Sequence, residues 1–104
     1  MSARIRQLEQ FIVEDPADPF NHYALGLEYA NIDTHRALQI FEHLIDNHRE
    51  YLPVYYQLAK LYERLGQIKN ASDTFTNGIA IAKQQMDLKT LRELNAGLEE
   101  LDGL

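Results

Sequence analysis

The feature that most constrains the fold is an internal repeat with a period of 33 to 34 residues. The stretch "YALGLEYA" at 23–30 has the same framework as "YQLAKLYE" at 56–63. The shared positions are a leucine, a small residue and a tyrosine, namely Leu25, Gly26 and Tyr29 in the first copy and Leu58, Ala59 and Tyr62 in the second. Further along the chain, Ala37 and Phe41 recur as Ala71 and Phe75. Repetition at this period predicts a stack of similar supersecondary units that share one continuous core.

Apolar residues recur at helical spacing along almost the whole chain, whereas the alternation typical of strands is nearly absent. The spacing predicts six helices, at about 2–13, 19–30, 37–45, 53–62, 68–82 and 87–101. Start and stop signals support these bounds. They are N-caps at Ser2, at Asp33 or Thr34, and at Asp87, the helix-opening prolines Pro19 and Pro53, and Gly66 after the fourth helix. The predicted class is all-α.

The dipeptide Asn77-Gly78 is the one local signal that conflicts with this assignment, because Asn-Gly commonly forms a hairpin turn. The flanking residues keep helical spacing, and Gly78 lies on the apolar stripe of the fifth helix. A glycine inside a helix costs about 1 kcal/mol relative to alanine. We therefore predict that Gly78 is helical and that it permits close approach of a neighbouring helix.

Composition excludes several classes of protein. The 104 residues are 45% apolar and 25% charged, which is ordinary for a soluble globular domain. Neither a membrane-spanning segment nor an export signal is visible, and cysteine is absent, so a cytoplasmic location is predicted and disulfides and thiolate chemistry are excluded. A formal charge of −6 argues against a nucleic-acid partner.

Four histidines raise the question of metal binding or catalysis. His43, Asp46 and His48 are spaced so that two of them can share a helix face, and a zinc site is therefore one alternative to a plain solvated face. His35 follows Asp33 without a nearby serine to activate, and the glycines are too isolated to form a phosphate-binding loop. We favour the solvated face, and we predict a protein that is not an enzyme and that has no metal or other cofactor.

The repeat resembles the tetratricopeptide repeat, a helix-turn-helix unit of 34 residues. That pattern has an aromatic residue, then Leu, Gly and Tyr at set spacings, then Ala and Phe. The stretch "YQLAKLYERLGQIKNASDTF" at 56–75 follows it well. The first copy departs from it, because His22 stands where the aromatic residue is usual and the turn is one residue shorter. Counting the period backwards places Pro16 where the closing proline of a preceding unit belongs.

The resemblance implies a right-handed α-α superhelix, a solenoid of about six antiparallel helices in a single domain over residues 1–104. Its parts would be a half-repeat helix at 2–15, a first repeat at 19–51, a second repeat at 52–85 and a capping helix at 87–102. Small Gly26 and Ala59 would let the two helices of each hairpin touch.

The resemblance also implies a peptide-binding groove on the concave side, where the first helix of each repeat lies. The residues placed there are Phe20, Tyr23, Leu27, Asn31, Tyr56, Gln57, Lys60, Glu63 and Arg64. Helical angles predict that Tyr23 points away from the hairpin interface, so its truncation should weaken binding with little loss of stability. The implied function is that of a non-catalytic protein-protein interaction module, or scaffold, which binds a peptide or helix of a partner protein.

Other uses of the same residues remain open. Phe20 and Tyr23 could simply pack on the first helix, and the last helix could cover the other residues of the predicted groove. Two copies of the chain could also bury the leucine stripe of the last helix against each other, so the protein is expected to be a monomer or a weak homodimer. Tetratricopeptide domains that clamp the carboxylate of chaperone tails carry Lys and Asn where this chain has Tyr23 and Leu27, and such a partner is not expected.

Overall fold

Six α-helices form the part of the chain that the structure, a computed structural model, describes, which is residues 2–103. The bounds are α1 Ala3–Glu14, α2 Pro19–Tyr29, α3 Thr34–Asn47, α4 Pro53–Arg64, α5 Ile68–Gln85 and α6 Leu88–Asp102. No strand occurs between residues 2 and 103, and the predicted all-α class is confirmed. None of these six helices is long and apolar enough to cross a membrane.

Side-chain caps fix the beginnings of four helices. The predicted caps Ser2, Asp33 and Asp87 are confirmed, and of the two candidates before α3 it is Asp33, not Thr34, that caps the helix. The bonds run from Ile5 N to Ser2 Oγ (3.0 Å), from Arg36 N to Asp33 Oδ1 (3.1 Å) and from Thr90 N to Asp87 Oδ1 (3.0 Å). Asp18, which the sequence reasoning missed, caps α2 by accepting a bond from Phe20 N at 3.0 Å. Each cap satisfies a backbone N–H that the helix itself leaves unpaired.

The Asp87 cap predicts a pH-dependent contribution to stability. Hydrogen bonds from the backbone N–H and the hydroxyl of Thr90 hold the pKa of the Asp87 carboxyl below its ordinary value of 3.8. Because the folded pKa is depressed, the cap stabilises the fold above the unfolded pKa, and this stabilisation is lost as pH falls through the folded value. We expect the difference in unfolding free energy between the parent and Asp87→Ala to be constant from about pH 5 to 7 and to shrink below about pH 4.

Urea denaturation at a series of pH values measures this difference. Asp87→Asn is the control, because asparagine caps a helix without titrating. A difference between the parent and Asp87→Ala that is undiminished at about pH 2 contradicts the assignment.

The ends of two helices depend on left-handed backbone conformations. Gly66 follows α4 with φ +75°, as the sequence predicts. Helix α5 continues to Gln85, three residues beyond the predicted end, and Met86 then adopts φ 58°. The residues 83–85 extend the helix because Lys and Gln have good helix propensity although they add nothing to the apolar stripe.

Backbone contacts divide the chain into two compact units, Met1–Tyr51 and Leu52–Leu104. In unit 1, α2 packs against both α1 and α3, and in unit 2, α5 packs against both α4 and α6. The finer division into a half repeat, two repeats and a cap stays a prediction.

The core of unit 1 lies on both sides of α2. One cluster joins α1, α2 and α3 through Ile5, Leu8, Ala24, Leu25 and Ile40. The other is the contact of Gly26 with the buried ring of Phe41 on α3. A Cβ atom added at Gly26 would lie 2.7 Å from Phe41 Cδ1 and 2.9 Å from Phe41 Cζ. The small residue therefore lets the two helices of this hairpin touch, as predicted.

The core of unit 2 contains two more glycines that face aromatic rings. A Cβ added at Gly78 would lie 2.7 Å from Tyr55 Cβ and 3.1 Å from Leu94 Cδ1. Gly78 is thus helical, and the predicted close approach is confirmed. A Cβ added at Gly97 would lie 2.6 Å from Phe75 Cζ, so α6 packs closely on α5 at that point.

Candidate functional site

An exposed apolar face on α2, here named the α2 surface, comprises Phe20, Leu27 and Asn31, with Tyr23 at its edge. The side chain of Phe20 is 55% exposed and that of Leu27 is 37% exposed. Seven residues make nearly two turns of helix, so these two side chains project from the same side of α2. Asn31 is exposed in the turn that follows the helix.

Tyr23 is not a free surface residue, which corrects the prediction that it points away from the hairpin interface. Its ring centroid lies 6.2 Å from that of Phe41 on α3 and 5.6 Å from that of Tyr51. Tyr23 precedes Gly26 by three positions and therefore projects within about 60° of it, toward α3. Truncation of Tyr23 is thus expected to cost folding stability, and it does not by itself report on binding.

Tyr51, which the sequence reasoning missed, adds a second ring beside Tyr23. It is half-buried, and burial is the main cause that raises its pKa, followed by the negative charges of ionised Tyr23 and of Asp18. Tyr51 lies in the connection between α3 and α4, where helical periodicity predicts no direction for a side chain.

The residues predicted to line the groove in unit 2 lie on α4 and are here named the α4 surface; they are Tyr56, Gln57, Lys60, Glu63 and Arg64. Several of them already contact other residues of unit 2. Tyr56 packs edge-on against Phe75 with ring centroids 6.0 Å apart. Lys60 Nζ lies 3.4 Å from Glu63 Oε1, and this ion pair reduces the basic character that the sequence suggested for this end of the predicted groove. Gln57 is half-buried and Arg64 is exposed.

Three of the four histidines make local contacts in the structure. His43 lies beside Asn47 on α3, and His48 Nδ1 lies 3.6 Å from Glu50 Oε1. Within residues 2–103, no three or more histidine or carboxylate side chains are grouped so that they could hold a metal ion. His22 Nε2 donates to the carbonyl oxygen of Pro16 at 3.0 Å and so ties α2 to the loop that precedes it.

A cleft in unit 1 is a second candidate site that the sequence reasoning did not find. Its volume is about 510 Å³, and all three helices of the unit contribute to it. Leu25 and Ile40 form a buried floor, whereas Val13 at the rim is 75% exposed. The other lining residues are Glu9, Ile12, His22, Arg36, Gln39 and His43.

The leucine stripe of α6 is mostly used inside unit 2. Leu94 and Leu101 are buried, and Leu91 and Leu98 are half-buried. Leu88, at 63% exposure, is the member of the predicted stripe that faces solvent. Little of the stripe therefore remains for self-association.

Solved structures of known proteins resemble this chain in both sequence and fold. A solution structure of a tetratricopeptide repeat domain protein from Salinibacter ruber is 42% identical, with a TM-score of 0.82, and the match covers 86% of this chain and 92% of that one. A crystal structure of a tetratricopeptide repeat domain protein from the same organism is 39% identical, with a TM-score of 0.79, and the match covers 83% of this chain and 98% of that one.

A more distant neighbour shares the fold alone. PcrH, in complex with the chaperone binding region of PopD, is 18% identical with a TM-score of 0.85, and the match covers 95% of this chain and 76% of that one. No family model and no curated protein matches the sequence. The high identity to the Salinibacter ruber domain over nearly its whole length confirms the resemblance found in the repeat itself, and this chain belongs to the tetratricopeptide repeat family.

Proposed function

We propose that the chain is a non-catalytic protein-interaction module that binds a peptide or helix of a partner protein at the α2 surface. The observation that carries the proposal is the exposure of Phe20 and Leu27 on one side of α2. Large apolar side chains grouped on a surface mark contact sites, because leaving them in water is unfavourable.

Two further facts support binding rather than catalysis. The α2 surface offers aromatic and aliphatic side chains and one amide, which suit apolar anchoring and hydrogen bonding to a peptide. PcrH, which shares the fold, was solved with a segment of another protein. That comparison is an analogy at the level of the fold, and the α2 surface provides the argument from this chain's own residues.

The expected mode of binding uses apolar side chains of the partner as anchors against Phe20 and Leu27. The seven-residue separation of Phe20 and Leu27 along α2 suits a partner helix with apolar residues one or two turns apart, or an extended peptide with alternating apolar residues. The α4 surface is a separate candidate contact, in which the Lys60–Glu63 pair would form polar interactions at its edge. The position of both surfaces on the concave side of a solenoid stays a prediction.

Selection from a random peptide library, followed by titration of the selected peptides, tests the proposal. We expect Phe20→Ala and Leu27→Ala each to weaken binding on the order of tenfold, as central apolar anchors do. Because both side chains are exposed, each variant should lose less than about 1 kcal/mol of folding stability. Lys60→Ala should have a smaller effect that declines with added salt.

Val13→Ala is the matched control, because Val13 is an exposed apolar residue at the rim of the cleft in the same unit. It should bind the selected peptides as the parent does. Peptides that bind Phe20→Ala and Leu27→Ala with undiminished affinity exclude the α2 surface. A loss that is confined to Val13→Ala assigns binding to the cleft instead.

A further inference from the structure

A carboxylate and two aromatic rings meet at the beginning of α2. Asp18 caps the helix that carries Tyr23, and its negative charge contributes, after burial and Tyr23, to the raised pKa of Tyr51. The rings of Tyr23 and Tyr51 lie 5.6 Å apart at an interplanar angle of 59°. Phe20, two residues after Asp18, carries the exposed apolar ring of the α2 surface. The exposed ring of Phe20, the Asp18 carboxylate and the Tyr23–Tyr51 ring pair therefore all belong to the same part of unit 1.

The charge of unit 1 has the same sign as this site. Its residues include nine Asp and Glu against four Arg, whereas unit 2 has seven acidic against six basic residues. Most of the formal charge of the chain therefore belongs to the unit that carries the α2 surface. A partner of positive charge would be attracted to this unit before contact, and one of negative charge would be repelled.

We propose that the partner segment bound at the α2 surface carries a lysine or arginine, held by Asp18 and the Tyr23–Tyr51 ring pair, beside an apolar side chain that contacts Phe20. This inference rests on the proposed function and adds the chemistry of the partner to it. The occupant is a peptide segment that is both basic and apolar.

The interactions are of two ordinary kinds. A cation within about 6 Å of an aromatic centroid is attracted by the negative face of the ring. Unit 1 already contains one such contact, since Arg36 Cζ lies 5.9 Å from the centroid of the Tyr29 ring. The Asp18 carboxylate adds a charge-assisted hydrogen bond, and arginine suits both partners because its planar guanidinium stacks on rings and pairs with carboxylates.

Three synthetic helical peptides provide the test. They share one leucine-rich face and differ at two flanking positions, which carry arginine, glutamine or glutamate. We expect the arginine peptide to bind about tenfold more tightly than the glutamate peptide at low salt, and the ratio to fall in about 0.5 M salt because exposed charges are screened.

Asp18→Asn and Asp33→Asn are the matched pair of variants. Both replace an N-cap aspartate of unit 1 by asparagine, which caps equally well, and both remove one negative charge. Asp18→Asn should reduce the affinity for the arginine peptide about threefold, and Asp33→Asn should leave it unchanged. Tyr51→Leu, which removes the ring, should reduce it to a similar extent.

The outcomes separate this inference from the function on which it rests. Equal affinity of the three peptides, no binding at about 1 mM peptide, or equal effects of Asp18→Asn and Asp33→Asn would overturn the basic-partner inference. In each case the library peptides that depend on Phe20 and Leu27 would still support the α2 surface. If peptides of every charge bind without regard to Phe20 and Leu27, both the surface and the inference are wrong.

Discussion

Gly26→Leu is expected to lower the free energy of unfolding by about 3 kcal/mol, at the upper end of the cost of overpacking a core. A single Cβ at this position already meets three atoms of the Phe41 ring, and that ring is buried and cannot move into solvent. A leucine side chain must therefore push α2 away from α3. Urea denaturation of the parent and the variant measures the loss.

Two controls make the result specific to the contact. Gly103→Leu adds the same side chain at an exposed glycine whose Cβ would meet no atom closer than 3.4 Å, and it should change stability by less than about 0.5 kcal/mol. Phe41→Ala in the Gly26→Leu background should recover about 1 to 2 kcal/mol of coupling energy. If Gly26→Leu melts as the parent does, the packing of α2 on α3 is assigned incorrectly.

Phe75→Ala is expected to have the largest effect of any single truncation, about 4 kcal/mol. Its ring is fully buried between Tyr56 on α4 and Gly97 on α6, so its removal leaves a cavity at the point where α5 contacts both neighbours. The surrounding helices can close that cavity only in part.

Phe20→Ala is the matched control for Phe75→Ala, because it deletes the same ring from a position that is 55% exposed. We expect it to cost less than about 1 kcal/mol. If the two variants lose equal amounts of folding stability, the burial of Phe75 between α4 and α6 does not stabilise unit 2 as argued.

The helices were predictable because each has a periodic apolar stripe and most have a clear start signal. The Asn77-Gly78 dipeptide was resolved correctly by the same reasoning, since the stripe of α5 continues through it. The end of α5 was not predictable from the stripe, because the last turn lies beyond the buried residues and depends on propensity alone.

The candidate site was harder to predict from the sequence, because a side chain's contacts depend on its length as well as on its helical angle. Tyr23 lies about 60° from Gly26 on α2, which is close enough for its long side chain to contact Phe41. The Lys60–Glu63 ion pair, in contrast, has the three-residue spacing that often forms such pairs on helices and could have been anticipated. Tyr51 carries no periodic signal, and its proximity to Tyr23 emerges only from the folded unit.

The contact between Tyr55 and Gly78 has a consequence for how such repeats diverge. The equivalent positions of the first copy, by the 33- and 34-residue steps, hold His22 and Leu44. The second copy thus combines a tyrosine with a glycine, and the first copy has a histidine and a buried leucine at the same two positions. At the Tyr55–Gly78 contact, a larger residue in place of the glycine would clash, and a smaller residue in place of the tyrosine would leave a void. Duplicated units must therefore exchange such residues in concert, and a consensus sequence averaged position by position from the two copies would combine partners that do not fit.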